Sequence, residues 1–183
     1  MTASSDAAIV RQVLDGDTEA FGVLVDRHQE RCTRLALHIT GSREDAEDAV
    51  QETFLRAYRS LATYQERDRF SAWLFRIVVN QCRTIGARRR GVQALHQRAW
   101  VEQGEGEPAE EHPADRAATR EELERALSRL DADQREAVVL KFAEDMTYDE
   151  MAAVTGVGVS ALKMRVQRAC KRLRAMLTET NHV

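Results

Sequence analysis

Apolar residues recur at three- and four-residue intervals along most of this chain, and the places where that rhythm stops divide it into helices. Ala7, Ile9, Val10, Val13 and Leu14 predict a short amphipathic helix over 6–14, closed by Asp15-Gly16-Asp17. From Thr18 to about Thr40 a single stripe runs through Phe21, Leu24, Val25, His28, Cys32, Leu35, Ala36 and Ile39. Gly41-Ser42 interrupts it, and Ser42 with Asp45 caps a helix from Arg43 to about Leu61, whose inner side is Ala46, Ala49, Val50, Phe54, Ala57 and Tyr58. After a polar loop over 62–68, the run Arg69 to Arg90 turns Trp73, Leu74, Ile77, Val78 and Ile85 inward. The rhythm fades over 92–115 and resumes from Arg116 to about Arg129. Asp131, with Gln134 three residues on, then caps a helix that packs Ala137, Val138, Leu140 and Phe142.

The clearest local signal lies between Thr147 and Arg174. Thr147 and Glu150 have the spacing of a capping box, Met151, Ala152 and Val154 give the helix an apolar side, and Gly156 permits a left-handed turn. A second helix starts near Gly158 or Val159, with Leu162, Val166, Ala169 and Leu173 facing inward. Geometry then points Ser160, Lys163, Met164, Gln167 and Lys171 outward, flanked by Arg165, Arg168, Arg172 and Arg174. No acid occurs from Met151 to Thr178, so this charge has no neutralising neighbour along the chain. Such a helix-turn-helix places its second helix in a DNA major groove, with cations on phosphates.

Composition sharpens the class. With 43% hydrophobic residues, two prolines and no alternating β-branched runs, the chain is expected to be all-α: two small helical domains joined by a flexible acidic linker, the second carrying the helix-turn-helix. The formal net charge of -3 is unevenly spread, because 92–115 holds six acids against Arg98 alone. Three cysteines without C-x-x-C spacing argue against a disulfide framework or a zinc knuckle and suit a reducing cytosol. His28 and Cys32, four apart on one stripe, are expected to be core residues rather than metal ligands. No apolar run is long enough for a membrane span, so no membrane insertion is expected, and the location implied is cytoplasmic.

Two further faces stand out. The third helix opens with Glu44, Asp45, Glu47 and Asp48, more acid than a helix N-terminus needs, and leaves Asp48, Gln51, Glu52 and Leu55 available for a basic protein partner. The fourth inverts this composition: between Asp68 and Glu102 there is no acid, while arginines accumulate beside aromatic residues. Cations interleaved with rings suit a single-stranded nucleic acid, through phosphates and unstacked bases. The residues expected to make that contact are Tyr64, Phe70, Arg76, Asn80 and Arg83.

In order and spacing, the strings EDAEDAVQETFLRAYRSL (44–61), FSAWLFRIVVN (70–80) and RLDADQREAVVLKFAEDMTYDEMAAVTGVGVSALKMRVQRACKRLR (129–174) resemble bacterial RNA polymerase sigma factors of the extracytoplasmic-function (ECF) group. The resemblance implies a region 2 domain over 1–91, a linker over 92–115 and a region 4 domain over 116–183. The first would bind the polymerase clamp helices through Asp48, Gln51, Glu52 and Leu55, and would capture the single-stranded -10 element with Tyr64, Phe70, Arg76, Asn80 and Arg83. The second would read the duplex -35 element through Ser160, Lys163, Met164, Arg165, Gln167 and Arg168. The linker would thread a basic channel near the RNA exit path. Core RNA polymerase, promoter DNA and an anti-sigma factor are the implied partners, with no cofactor, no metal and no catalysis of its own. Two other readings compete: a stand-alone helix-turn-helix regulator of duplex DNA, and a decoy that titrates an anti-sigma protein.

Overall fold

The computed structural model describes residues 4–65, 69–99 and 115–180. Helix α1 spans Asp6–Leu14 and begins at Ser5, whose Oγ accepts from the Ala8 amide at 3.3 Å; it buries Ile9, Val10 and Val13. The helix expected from Thr18 opens as one 3-10 turn, Thr18–Ala20, capped by Asp17, and continues as α2, Phe21–Thr40. Gly41, at φ 68°, supplies the left-handed residue that ends α2. The Ser42 side chain caps α3, Arg43–Arg59, by accepting from the Asp45 amide. Helix α4 covers Phe70–Ala99 and so runs past the expected boundary at 92; residues 100–114 of the expected linker lie outside the described residues.

The second group comprises α5 (Asp115–Ser128), α6 (Ala132–Val138), α7 (Tyr148–Thr155) and α8 (Val159–Thr180). Two expectations fail here for local reasons. Asp131 makes no side-chain cap on α6; its carboxylate instead accepts from Arg172 on α8 at 2.7 Å. Between α6 and α7 the backbone widens into one π-helical turn, Val139–Ala143, closed by the Glu144 amide on the Val139 carbonyl at 3.1 Å. That wider turn breaks the 3.6-residue spacing on which the packing of Phe142 was inferred, and the ring stands 63% exposed while Leu140 is fully buried. Asp145, at φ 50°, ends the turn in a conformation that a short polar side chain tolerates better than most.

Among the described residues there is no strand. Helices α2, α3 and α4 pack on one another, and α6 and α7 pack on α8. The two groups then join: α4 lies on α7, and α2 on α6 and the π turn. One apolar core therefore runs from Phe75, Val78 and Val79 on α4 into Met151, Val154 and Leu162 of the second group. Fully burying a side chain of this size contributes about 1.5–3 kcal/mol. A smaller cluster, Ala126, Leu130, Val138, Ala169 and Leu173, belongs to the second group alone.

Candidate nucleic-acid interface

The turn between α7 and α8 is built by local chemistry. Thr147 Oγ1 accepts from the Glu150 amide at 3.2 Å, and Glu150 Oε2 accepts from the Thr147 amide at 2.9 Å. The Thr147 hydroxyl also donates to Glu150 Oε2 at 2.9 Å, and the two bonds that this carboxylate accepts, the backbone one first, pull it below its ordinary value. Gly156 sits at φ 71°, and its amide donates to the Ala152 carbonyl at 2.9 Å, which stops α7 and aims α8.

On α8, Leu162, Val166, Ala169 and Leu173 are buried, whereas Ser160, Lys163, Met164, Gln167, Arg168 and Lys171 are exposed. The Lys163 ammonium lies 5.7 Å from the centre of the Tyr148 ring. Not all of the helix's charge faces outward unspent. Arg165 pairs with Asp133 at 2.8 Å and Arg172 with Asp131 at 2.7 Å, both acids coming from the start of α6.

The arginine-aromatic face of α4 is arranged differently. Tyr64, Phe70 and Trp73 form a cluster with ring centres 5.5–5.7 Å apart, and His28 touches it, 5.2 Å from Phe70. Phe70 is only 3% exposed, Tyr64 and Trp73 are half-buried, and Asn80 is exposed. The Arg76 Nε donates to the Ala153 carbonyl on α7 at 2.9 Å. Arg83 grips the Glu136 carboxylate with Nε and Nη2 at 2.8 and 2.7 Å, and its Nη1 donates to the Thr155 carbonyl at 3.0 Å. The bond to Glu136 raises the Arg83 pKa further. Of the five residues expected on this face, the arrangement brings Tyr64 and Phe70 together and turns Arg76 and Arg83 to the second group.

On α3, Asp48, Gln51 and Leu55 are exposed, and Glu52 accepts from Arg56 Nε at 2.6 Å one turn on. Gln51 and Leu55 border an apolar groove of about 700 Å³ lined by Phe21, Val25, Phe54 and Tyr58. The four residues also line a cleft that reaches Thr84, Ile85 and Arg88 on α4. The result is an apolar trough with an acidic and amide rim.

His28 and Cys32 do not converge on a ligand site. His28 Nε2 lies 2.9 Å from Asp6 Oδ2, and Cys32 is fully buried with its thiol pushed up to about 12, chiefly by burial. Among the described residues no group of histidines, cysteines and acids could hold a metal ion, and no helix is long and apolar enough to cross a membrane. Sequence reasoning passed over Arg31, Arg135, Glu136 and Glu144, which join the two groups. One signal was available: Glu136 stands four residues before buried Leu140, so its carboxylate falls on an inward face.

Residues 24–91 match the family model for sigma-70 region 2, and residues 120–173 match that for sigma-70 region 4. The RNA polymerase sigma factor CnrH of Cupriavidus metallidurans is 34% identical over 94% of each chain. The ECF RNA polymerase sigma factor SigM of Mycobacterium tuberculosis is 35% identical over 97% of this chain and 87% of its own. Among solved structures, CnrH in complex with the cytosolic domain of CnrY superposes with a TM-score of 0.70, at 28% identity over 96% of this chain and 99% of that one. The sigma factor RpoE in complex with the anti-sigma factor NepR from Bartonella quintana gives 0.68, at 28% identity over 86% and 96%. Matched by the region 2 and region 4 models in that order, and about a third identical to such relatives over nearly its whole length, the chain belongs to the ECF group of the sigma-70 family of RNA polymerase sigma factors.

Proposed function

We propose that this chain lends promoter recognition to core RNA polymerase, binding the enzyme and directing initiation at promoters with matching -35 and -10 elements. The observation that carries this reading is the pairing, in one chain, of an exposed basic recognition helix with a separate acid-rimmed apolar trough. A duplex-binding regulator would use the first and has no use for the second.

Each surface takes one role. Residues 1–91 form the region that engages the polymerase, through Asp48, Gln51, Glu52 and Leu55, and captures the single-stranded -10 element, through Tyr64, Arg76, Asn80 and Arg83; Phe70, expected among these contacts, is buried and supports the Tyr64 ring from beneath instead. Residues 92–115 are the connection. Residues 116–183 read the duplex -35 element, with Ser160, Lys163, Met164, Gln167 and Arg168 toward the groove and Arg165 at its edge. Base edges are read by such polar and cationic side chains, while flanking cations fix the register on phosphates. The chain acts in the cytoplasm, performs no catalysis of its own, and is held in reserve by an anti-sigma factor, a reading supported by the complex of RpoE with the anti-sigma factor NepR.

The test is co-elution with sigma-free core polymerase. Wild type is expected to co-elute, and an Asp48→Ala, Gln51→Ala, Glu52→Ala variant to lose most of that binding. Failure of wild type to bind in moderate salt, with tight binding to promoter duplex by the free chain, would return the assignment to a stand-alone regulator.

A further inference from the structure

The outward face of α8 is not uniform. Ser160, Met164 and Arg168 follow one another at four-residue steps along one ridge, with Gln167 beside them, and all four are exposed. Met164, at 47%, is the one large apolar side chain that α8 exposes among its described residues. A single exposed methionine on a protein surface calls for no explanation by itself. Its neighbours along the chain do. Lys163 leans toward α7, its ammonium 5.7 Å from the centre of the Tyr148 ring, a ring that Lys141 also approaches at 5.4 Å. Arg165 is drawn to Asp133 on α6 at 2.8 Å. The two cations that flank Met164 are thus each held by another helix, and the thioether is left uncovered between them.

Phosphates line the edges of a major groove and base edges its floor, so cations held against α7 and α6 suit the first, and the residue between them meets the second. The floor offers donors and acceptors at every base pair but only one apolar group, the C5 methyl of thymine. A donor or acceptor facing the Met164 side chain would lose its water and gain no bond in return. A methyl loses no bond there and buries apolar surface on both partners. The unbranched thioether, with its rotatable bonds and polarisable sulfur, adapts to such a contact more readily than a β-branched chain.

We propose that Met164 is a specificity-determining residue of the recognition helix, and that it selects thymine in the duplex -35 element by packing against the C5 methyl. This rests on the reading of α8 as the -35-binding helix given above.

The experiment uses core polymerase loaded with the full chain. Wild type first selects from a promoter-length duplex library randomised over both elements. Each thymine pair of the enriched upstream motif is then changed singly to uracil, which pairs identically and lacks only the methyl. Affinities are read for wild type, Met164→Ala, Met164→Gln and Met164→Leu, with circular dichroism and thermal melting to check that α8 is intact. The expected result is one thymine at which uracil weakens wild type by about fourfold, corresponding to one buried methyl-sized group at about 0.8 kcal/mol. Met164→Ala and Met164→Gln lose that sensitivity at that position alone, and Met164→Leu, which keeps an apolar surface, retains part of it. A general loss of stability would weaken every duplex alike and leave the ratio of thymine to uracil affinity unchanged. An upstream motif without thymine, or a uracil effect that is the same for wild type and Met164→Ala at every position, overturns the methyl contact while the reading of α8 stands. If no upstream motif is enriched over the unselected library, the reading of α8 fails and the contact with it.

Discussion

Helices α4 and α8 are both rich in arginine and free of acid over long stretches, yet they spend their charge in opposite ways. The outward face of α8 keeps Lys163, Gln167 and Arg168 exposed and gives up only Arg165 and Arg172 to acids of α6. The face of α4 gives Arg83 to Glu136 and Arg76 to a backbone carbonyl, both in the other half of the molecule. A charge run in a sequence states how much charge is present. Whether it is available depends on acids and helix ends that arrive from 32 (Asp133 on Arg165) to 77 residues away.

The largest expected effect tests whether α4 and α8 belong to one folding unit. Phe75 is fully buried in the core shared by both groups, with the Arg31 guanidinium 4.7 Å from its ring centre. Phe75→Ala should cost about 3–5 kcal/mol and lower the melting of both groups together by calorimetry. Independent melting, with region 4 unaffected, would divide the molecule where the core joins it. Next comes the exposed face itself. Lys163→Ala, Arg168→Ala should weaken duplex -35 binding by polymerase holoenzyme by about 1–3 kcal/mol for each lost base contact, while stability changes little because neither side chain is buried. Equal loss of binding to an unrelated duplex would make both residues phosphate contacts.

The smallest effect sharpens the placement of α8. Thr147→Ala should cost about 1 kcal/mol through the lost cap, read by chemical denaturation. Since the folded Glu150 carboxyl titrates below its ordinary value of 4.5, its contribution is full above that value and fades as pH falls through the lower, folded one. The stability gap between wild type and Glu150→Gln should accordingly be present at neutral pH and vanish in acid. A gap that persisted at the acid end would assign the cap to Thr147 alone.

What the sequence reveals about this molecule is what neighbours along the chain decide. The Ser42 cap, the capping box, the left-handed Gly156 and the buried stripe of α8 all depend on residues within one or two turns, and each lies where spacing places it. Phe142 was illegible because its exposure depends on a π turn, for which a 3.6-residue rhythm has no place. Asp131 was misread as a cap because its competing partner, Arg172, lies 41 residues on. The burial of Phe70 follows from His28, Tyr64 and Trp73 gathering around it inside the first group, whereas the capture of Arg76 and Arg83 follows from how two amphipathic groups meet, and neither stripe alone encodes that meeting.

The length of α4 changes what kind of object connects the two DNA-reading ends. Had the helix stopped at 91, twenty-four residues could pay out to roughly 80 Å. Because it continues to Ala99, only fifteen residues separate it from Asp115, a length of chain that can span at most roughly 50 Å, and the stretch before them is a rod rising ~1.5 Å per residue. A rod sets an aim as well as a distance. One duplex turn is about 34 Å, so the allowance for sliding one end against the other shrinks from more than two turns of DNA to about one and a half. On the function proposed above, the helical end of α4 gives the step from one promoter element to the other a direction, where a bare chain of the same length would give it only a limit.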